Sequence, residues 1–162
     1  MSTIIYDFQK DSNAADWQIV NDGVMGGMSQ GKFKIDREGK GVFYGDVSTE
    51  NNGGFSSIRH EFATLKVETD SKVILTVKGD GKDYQFRIKD KLSNSHSYIT
   101  TFSTTGEWQE IEIALADLQP SFRGQKLNMP NFDTTFFEEI RFLIGNKKDE
   151  SFELVIDTIE LR

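Results

Sequence analysis

Apolar residues recur at every second position along most of this chain, and that spacing admits strands and little else. Tyr84, Phe86 and Ile88 alternate with Gln85, Arg87 and Lys89, and Ile111, Ile113 and Leu115 with Glu110, Glu112 and Ala114. Phe43, Gly45 and Val47 alternate with Val42, Tyr44 and Asp46, while Ile58, His60 and Phe62 alternate with Ser57, Arg59 and Glu61. The pattern predicts further strands over 3–8, 32–36, 72–78, 97–103, 139–144 and 152–161. Clusters such as Gly79-Asp80-Gly81-Lys82 and Gly145-Asn146-Lys147-Lys148-Asp149-Glu150 break the runs with turn chemistry. About ten short strands separated in this way predict an all-β fold, an antiparallel sandwich, with helix confined to a turn or two near 114–118 or 134–138.

A chain of 162 residues without linker, repeat or low-complexity tract is expected to form one domain over 1–162 around one core. Its net charge of −7, with no concentration of Lys and Arg along the sequence, argues against nucleic acid and anionic membrane as partners. The absence of cysteine excludes disulfides and thiolate chemistry, and two histidines, His60 and His96, are too few for a multi-histidine metal site. The first residues carry no signal-peptide or transit-peptide pattern, and no apolar run reaches the roughly 18 residues of a membrane span. A cytoplasmic location is therefore the expectation.

Facing follows from the alternation. With Ile58, Phe62, Tyr84, Phe86 and Ile88 turned inward, Arg59, Gln85 and Arg87 turn outward, and Tyr44 lies opposite Phe43 and Val47. If these strands share one sheet, its outer face is either a solvated polar surface or a place for a sugar or a partner. Asp157 shares the parity of Val155, Ile159 and Leu161, which points a carboxylate toward apolar neighbours. Together with Asp7 it is a candidate for a structural Ca²⁺; a capping hydrogen bond or an edge position is the alternative.

Two glycine-rich segments stand out, Asn21-Asp22-Gly23-Val24-Met25-Gly26-Gly27-Met28-Ser29-Gln30-Gly31 and Asn51-Asn52-Gly53-Gly54-Phe55-Ser56-Ser57-Ile58-Arg59. They match neither a P-loop nor a dinucleotide fingerprint, since no Gly-Lys-Ser/Thr is present and no helix follows. Their similar demands for glycine suggest that the segments touch, and an ion pair from Arg59 to Asp22 is the expected link. No Ser-His-acid triad can be assembled around His60, and nominating two carboxylates of a glycosidase among 26 acids is unconstrained.

The run from Trp17 to Ser29 resembles the Trp-x4-Asp-x-Val-Met-Gly-Gly-x-Ser signature of the complex I intermediate-associated protein family. Phe43-Tyr44-Gly45, the Asn52–Arg59 segment, Gly79-Asp80-Gly81-Lys82-Asp83-Tyr84, Gly106-Glu107-Trp108 and Pro120-Ser121-Phe122-Arg123-Gly124 follow in the family's order. The resemblance implies a jelly-roll sandwich of the galactose-binding type, similar to some carbohydrate-binding modules, and a stand-alone bacterial-style member. It also implies a non-enzymatic role with no cofactor, as a protein-binding or assembly-factor domain. Its motif falls on Asp22, Met25, Gly26, Gly27, Asn52, Gly53, Gly54, Arg59, Asp80, Tyr84 and Arg123, of which Asp22, Met25, Asn52, Arg59, Asp80, Tyr84 and Arg123 join Tyr44, Gln85 and Arg87 as candidate partner-binding residues. The alternatives are carbohydrate binding, with Tyr44 stacking on a sugar while Arg59, Gln85 and Arg87 bind hydroxyls, and, more remotely, a hydrolase using the Asp22 loop.

Overall fold

A computed structural model describes residues 2–22, 27–50 and 53–162, so the candidates Met25 and Asn52 lie outside the described residues. Two antiparallel sheets face each other. One contains β1 (Thr3–Asp7), β3 (Gln30–Ile35), β4 (Gly41–Val47), β6 (Lys72–Lys78), β9 (Trp108–Ala114) and β13 (Glu150–Leu161), in the order β3-β4-β13-β6-β9 with β1 also on β13. The other contains β2 (Gln18–Asn21), β5 (Ser56–Lys66), β7 (Asp83–Lys89), β8 (Ser97–Ser103), β10 (Gln119–Phe122), β11 (Gln125–Lys126) and β12 (Phe136–Ile144), in the order β11-β10-β8-β7-β12-β5-β2. The inward residues of both sheets close one core, with Phe43, Leu75, Leu154 and Ile156 from the first and Ile58, Tyr84, Phe86 and Phe142 from the second. This is the predicted antiparallel sandwich.

The chain changes sheet many times, and two of these passages, from β2 to β3 and from β4 to β5, coincide with the two glycine-rich segments of the sequence. Trp17, just before β2, is buried against Phe8, Phe33, His60 and Phe142 and ties the β1–β2 passage to the core.

Several expectations are corrected. The stretch near 134–138 enters β12 and is not helical, because Phe137 is needed as a core residue facing Phe62 and Phe132. Leu115 leaves the β9 alternation and sits in a 3-10 turn over Leu115–Asp117. Tyr44 lies on β4, in the opposite sheet from Arg59, Gln85 and Arg87, so the four do not share a face. Asp157 does not point with the apolar side chains. Phe152, Leu154 and Ile156 face inward, an irregularity in the pairing with β6 between Ile156 and Thr158 shifts the parity, and Ile159 and Leu161 resume the inward set. Strands β2, β10 and β11, of 4, 4 and 2 residues, are too short to show a period in sequence.

Phe142 meets Trp17, Phe86 and Phe102 along the inner face of the seven-stranded sheet. Phe142→Ala is expected to cost about 3–5 kcal/mol, read as a fall in melting temperature of about 10 °C. An unchanged melt would mean that this aromatic layer does not carry the core.

Candidate functional site

Asp22 is 1% exposed and is the point where the two glycine-rich segments meet. Its carboxylate accepts the Ser29 amide (3.0 Å) and Ser29 hydroxyl (2.5 Å) from its own segment, and the Gly54 (2.6 Å) and Phe55 (3.2 Å) amides from the other. Gly27 and Gly53 are packed so tightly on this carboxylate that a Cβ at either would collide with it, and Gly54 holds φ +135°, a conformation that favours glycine. Beside it, Asn21 Oδ1 accepts the Ser56 hydroxyl (2.5 Å) and the Gly31 amide (3.3 Å). Burial works to raise the Asp22 carboxyl, but the hydrogen bonds from Ser29, Gly54 and Phe55 outweigh it and hold the group below the usual carboxylate range.

The segments therefore touch, as expected, but the expected Asp22–Arg59 ion pair is absent. Backbone amides saturate the carboxylate, and the Arg59 guanidinium turns to Gln18, with Nε donating to Oε1 at 2.8 Å.

Arg59 begins a row across the outer face of the seven-stranded sheet. Register sets Gln18 beside Arg59 and Arg59 beside Arg141. Arg141 in turn lies beside Arg87, and Arg87 beside Ile99. Three arginines thus stand on adjacent central strands β5, β12 and β7, with Cα atoms about 4.8 Å apart from strand to strand. Gln85 lies one row away beside Leu143, and Glu139 and Lys89 pair in the row on the other side.

Glu139 is 2% exposed, and its Oε1 is 3.8 Å from both Arg59 Nη1 and Arg141 Nη2. That distance neutralises charge without making a hydrogen bond. Among the described residues neither Arg87 nor Arg141 donates a hydrogen bond, and the Nε of each is buried without a partner. Burial, and then the adjacent Arg141, push the Arg87 guanidinium down to about 10 while Glu139 acts the other way. Arg141 is lowered for the same leading reason. Guanidiniums stay protonated in proteins, so the face holds two half-buried cations whose Nε donors have no partner among the described residues.

The other sequence candidates have structural places. Asp80 accepts the Tyr84 hydroxyl (2.9 Å), the Glu153 amide (2.8 Å) and the Lys82 ammonium (3.4 Å). Tyr84 is 1% exposed, out of reach of a partner, and burial followed by Asp80 pushes its phenol far above the usual range. Arg123, at φ 51°, forms with Gly124, at φ 76°, the two-residue turn between β10 and β11, and its guanidinium lies over Phe122. Tyr44 carries the Lys34 ammonium over its ring, beside a shallow groove that includes Gln30, Lys32, Asp46 and Glu153. Asp157 binds Lys40 Nζ at 2.8 Å and Asp7 accepts from Gln9 Nε2, so a cation at Asp157 would have to displace a lysine. Among the described residues no group of three or more His, Asp or Glu is placed to hold a metal. His60 packs on Trp17 with Nδ1 2.9 Å from the Asp16 carbonyl.

Arg141 and Glu139 were missed as site residues although their strand was predicted. The inward parity of Ile140, Phe142 and Ile144 would have turned them outward; only the neighbouring strands were missing from view.

The Asp22 clamp predicts a pH dependence. A folded-state value below the unfolded one contributes stability that is complete above about pH 4 and is lost as pH falls through the folded value. Asp22→Asn is expected to lose about 2–4 kcal/mol at neutral pH and to flatten the acid limb of the stability curve. Urea unfolding of both proteins between about pH 2 and 7 checks this, and equal stability at neutral pH would contradict the clamp.

Comparison with known proteins places this geometry. No curated protein matches the chain by sequence. Among solved structures, the family 11 carbohydrate-binding module of Clostridium thermocellum in complex with a β-1,3-1,4-mixed-linked tetrasaccharide superposes with a TM-score of 0.74 at 16% identity, covering 99% of this chain and 94% of that one. The same family's module from the cellulosomal cellulase Lic26A-Cel5E of that organism gives 0.73 at 17%, again over 99% and 94%. A point mutant of a family 29 carbohydrate-binding module gives 0.59 at 7%, over 99% and 89%. At such identities the likeness establishes the fold. The sequence itself matches the family model described as Complex I intermediate-associated protein 30 (CIA30) over residues 6–156, and the chain belongs to that family.

Proposed function

We propose that this chain is a non-enzymatic binding module whose partner is a protein, in keeping with an assembly-factor role for its family, and that the outer face of the seven-stranded sheet is the surface it uses. The observation that carries the reading is the row Arg59–Arg141–Arg87, in which two half-buried arginines keep buried Nε donors without a partner among the described residues. Donors of this kind cost stability in the free protein and gain it when a partner supplies acceptors. The hydrolase reading gains no support, because Asp22 spends its lone pairs on amides and on Ser29 and is not free to transfer a proton.

Carbohydrate binding is the second reading, favoured by the fold shared with carbohydrate-binding modules and by the groove beside Tyr44 on the six-stranded sheet. Affinity capture from the native cell separates the two. The wild type and Tyr44→Ala are expected to recover the same protein, and Arg141→Glu, checked for native circular dichroism, is expected to lose it. Selective binding on a glycan array that disappears in Tyr44→Ala would reverse the order.

A further inference from the structure

The charge on the arginine face narrows the class of partner. The chain is acidic as a whole, with a net charge of −7, yet this face brings Arg59, Arg87 and Arg141 together against Glu61 and Glu139, with Lys89 beside Glu139. The local balance is therefore positive on an acidic molecule. Like charges on adjacent strands repel, and burial raises the cost of each; Glu139 offsets the cost only from 3.8 Å. Arg141 keeps 15% of its side chain accessible and Arg59 27%, so the cations are crowded but open to an incoming group.

Resting on the reading of this face as the binding surface, we propose that Arg87 and Arg141, with Arg59 at the end of the row, receive the side-chain carboxylates of an acidic peptide segment of the partner protein. A guanidinium offers a planar fork that matches a carboxylate. The row from Arg59 to Arg87 spans two strand spacings, about 10 Å. An extended peptide places side chains i and i+2 about 7 Å apart on one side, and the reach of two glutamates covers the remainder. The row and its neighbours, Arg59, Arg141, Arg87, Ile99, Gln85, Leu143, carry no aromatic ring on which a sugar could stack. The surface thus recognises charge and hydrogen-bond acceptors more than ring faces.

Arginine Nε–H resonances report the site directly. The full chain, labelled with ¹⁵N, is titrated with a capped Ser-Glu-Ser-Glu-Ser peptide, with its Ser-Gln-Ser-Gln-Ser counterpart, with digalacturonate and with inorganic phosphate. The glutamate peptide is expected to shift the Arg87 and Arg141 Nε–H signals saturably while the glutamine peptide leaves them in place. Arg87→Gln is expected to weaken the peptide about tenfold, the scale of one lost charge-assisted pair. Arg87→Lys, which keeps the charge and loses the fork, is expected to fall between; both variants are accepted only with a dispersed amide spectrum.

The proposal is overturned by silence of both signals at millimolar glutamate peptide, by an equal response to the glutamine peptide, or by affinity unchanged in Arg87→Gln. It is overturned equally by a response to digalacturonate without one to the peptide, which would assign an acidic saccharide, or by phosphate matching the peptide, which would leave a general anion site. If Arg141→Glu abolishes protein capture while the peptide is silent, the face is still the binding surface and only the acidic-segment assignment falls.

Discussion

The carboxylate of Asp22 is the contact on which the arrangement of the two sheets depends. It lies where the chain passes from β2 to β3 and bonds the amides that open β5, so one side chain joins two of the passages between the sheets. The glycines around it follow from that role: Gly27 and Gly53 leave the space the carboxylate fills, and Gly54 takes a conformation other residues avoid. The clamp sets where β5 begins, and β5 carries Arg59 into register with Arg141 and, through β12, with Arg87. Local chemistry at a loop thereby fixes the spacing of a surface row.

The two faces of the seven-stranded sheet obey opposite rules. Its inner face is satisfied by aromatic and aliphatic packing, with Phe86, Phe102 and Phe142 edge to face. Its outer face concentrates cations, two of which, Arg87 and Arg141, keep a buried Nε donor without a partner among the described residues. Buried polar atoms are ordinarily hydrogen-bonded, and the proposed binding surface would account for these two because a partner would bring the missing acceptors. The Asp80–Tyr84–Glu153 contact is a second polar tie: it joins the β6–β7 connection to β13 and satisfies a phenol that burial would otherwise strand.

Much of this was legible in the alternation. Strands β1, β3 to β9 and β12 to β13 follow from period two, and so does the outward turn of Arg59, Gln85 and Arg87. Sheet membership was not legible, because period two says which side a residue faces and nothing about which strands are neighbours; Tyr44 was grouped with the arginines for that reason. Asp157 was misread because the irregularity after Ile156 shifts parity and leaves no mark in composition. The shared demand for glycine implies that the two segments touch, and they do, but it does not identify what Asp22 binds. A carboxylate beside glycines is as well served by bare amides as by a cation, and only the fold shows which lies closer. Arg141 entered the site through strand order alone.

A structure of this chain bound to the protein it captures tests the central claim most directly. The partner is expected to cover β5, β12 and β7, with acceptor oxygens within about 3 Å of the Arg87 and Arg141 guanidiniums. A partner seated instead on β3 and β4, against Lys34 and Tyr44, with the arginine row left open to solvent, would contradict it.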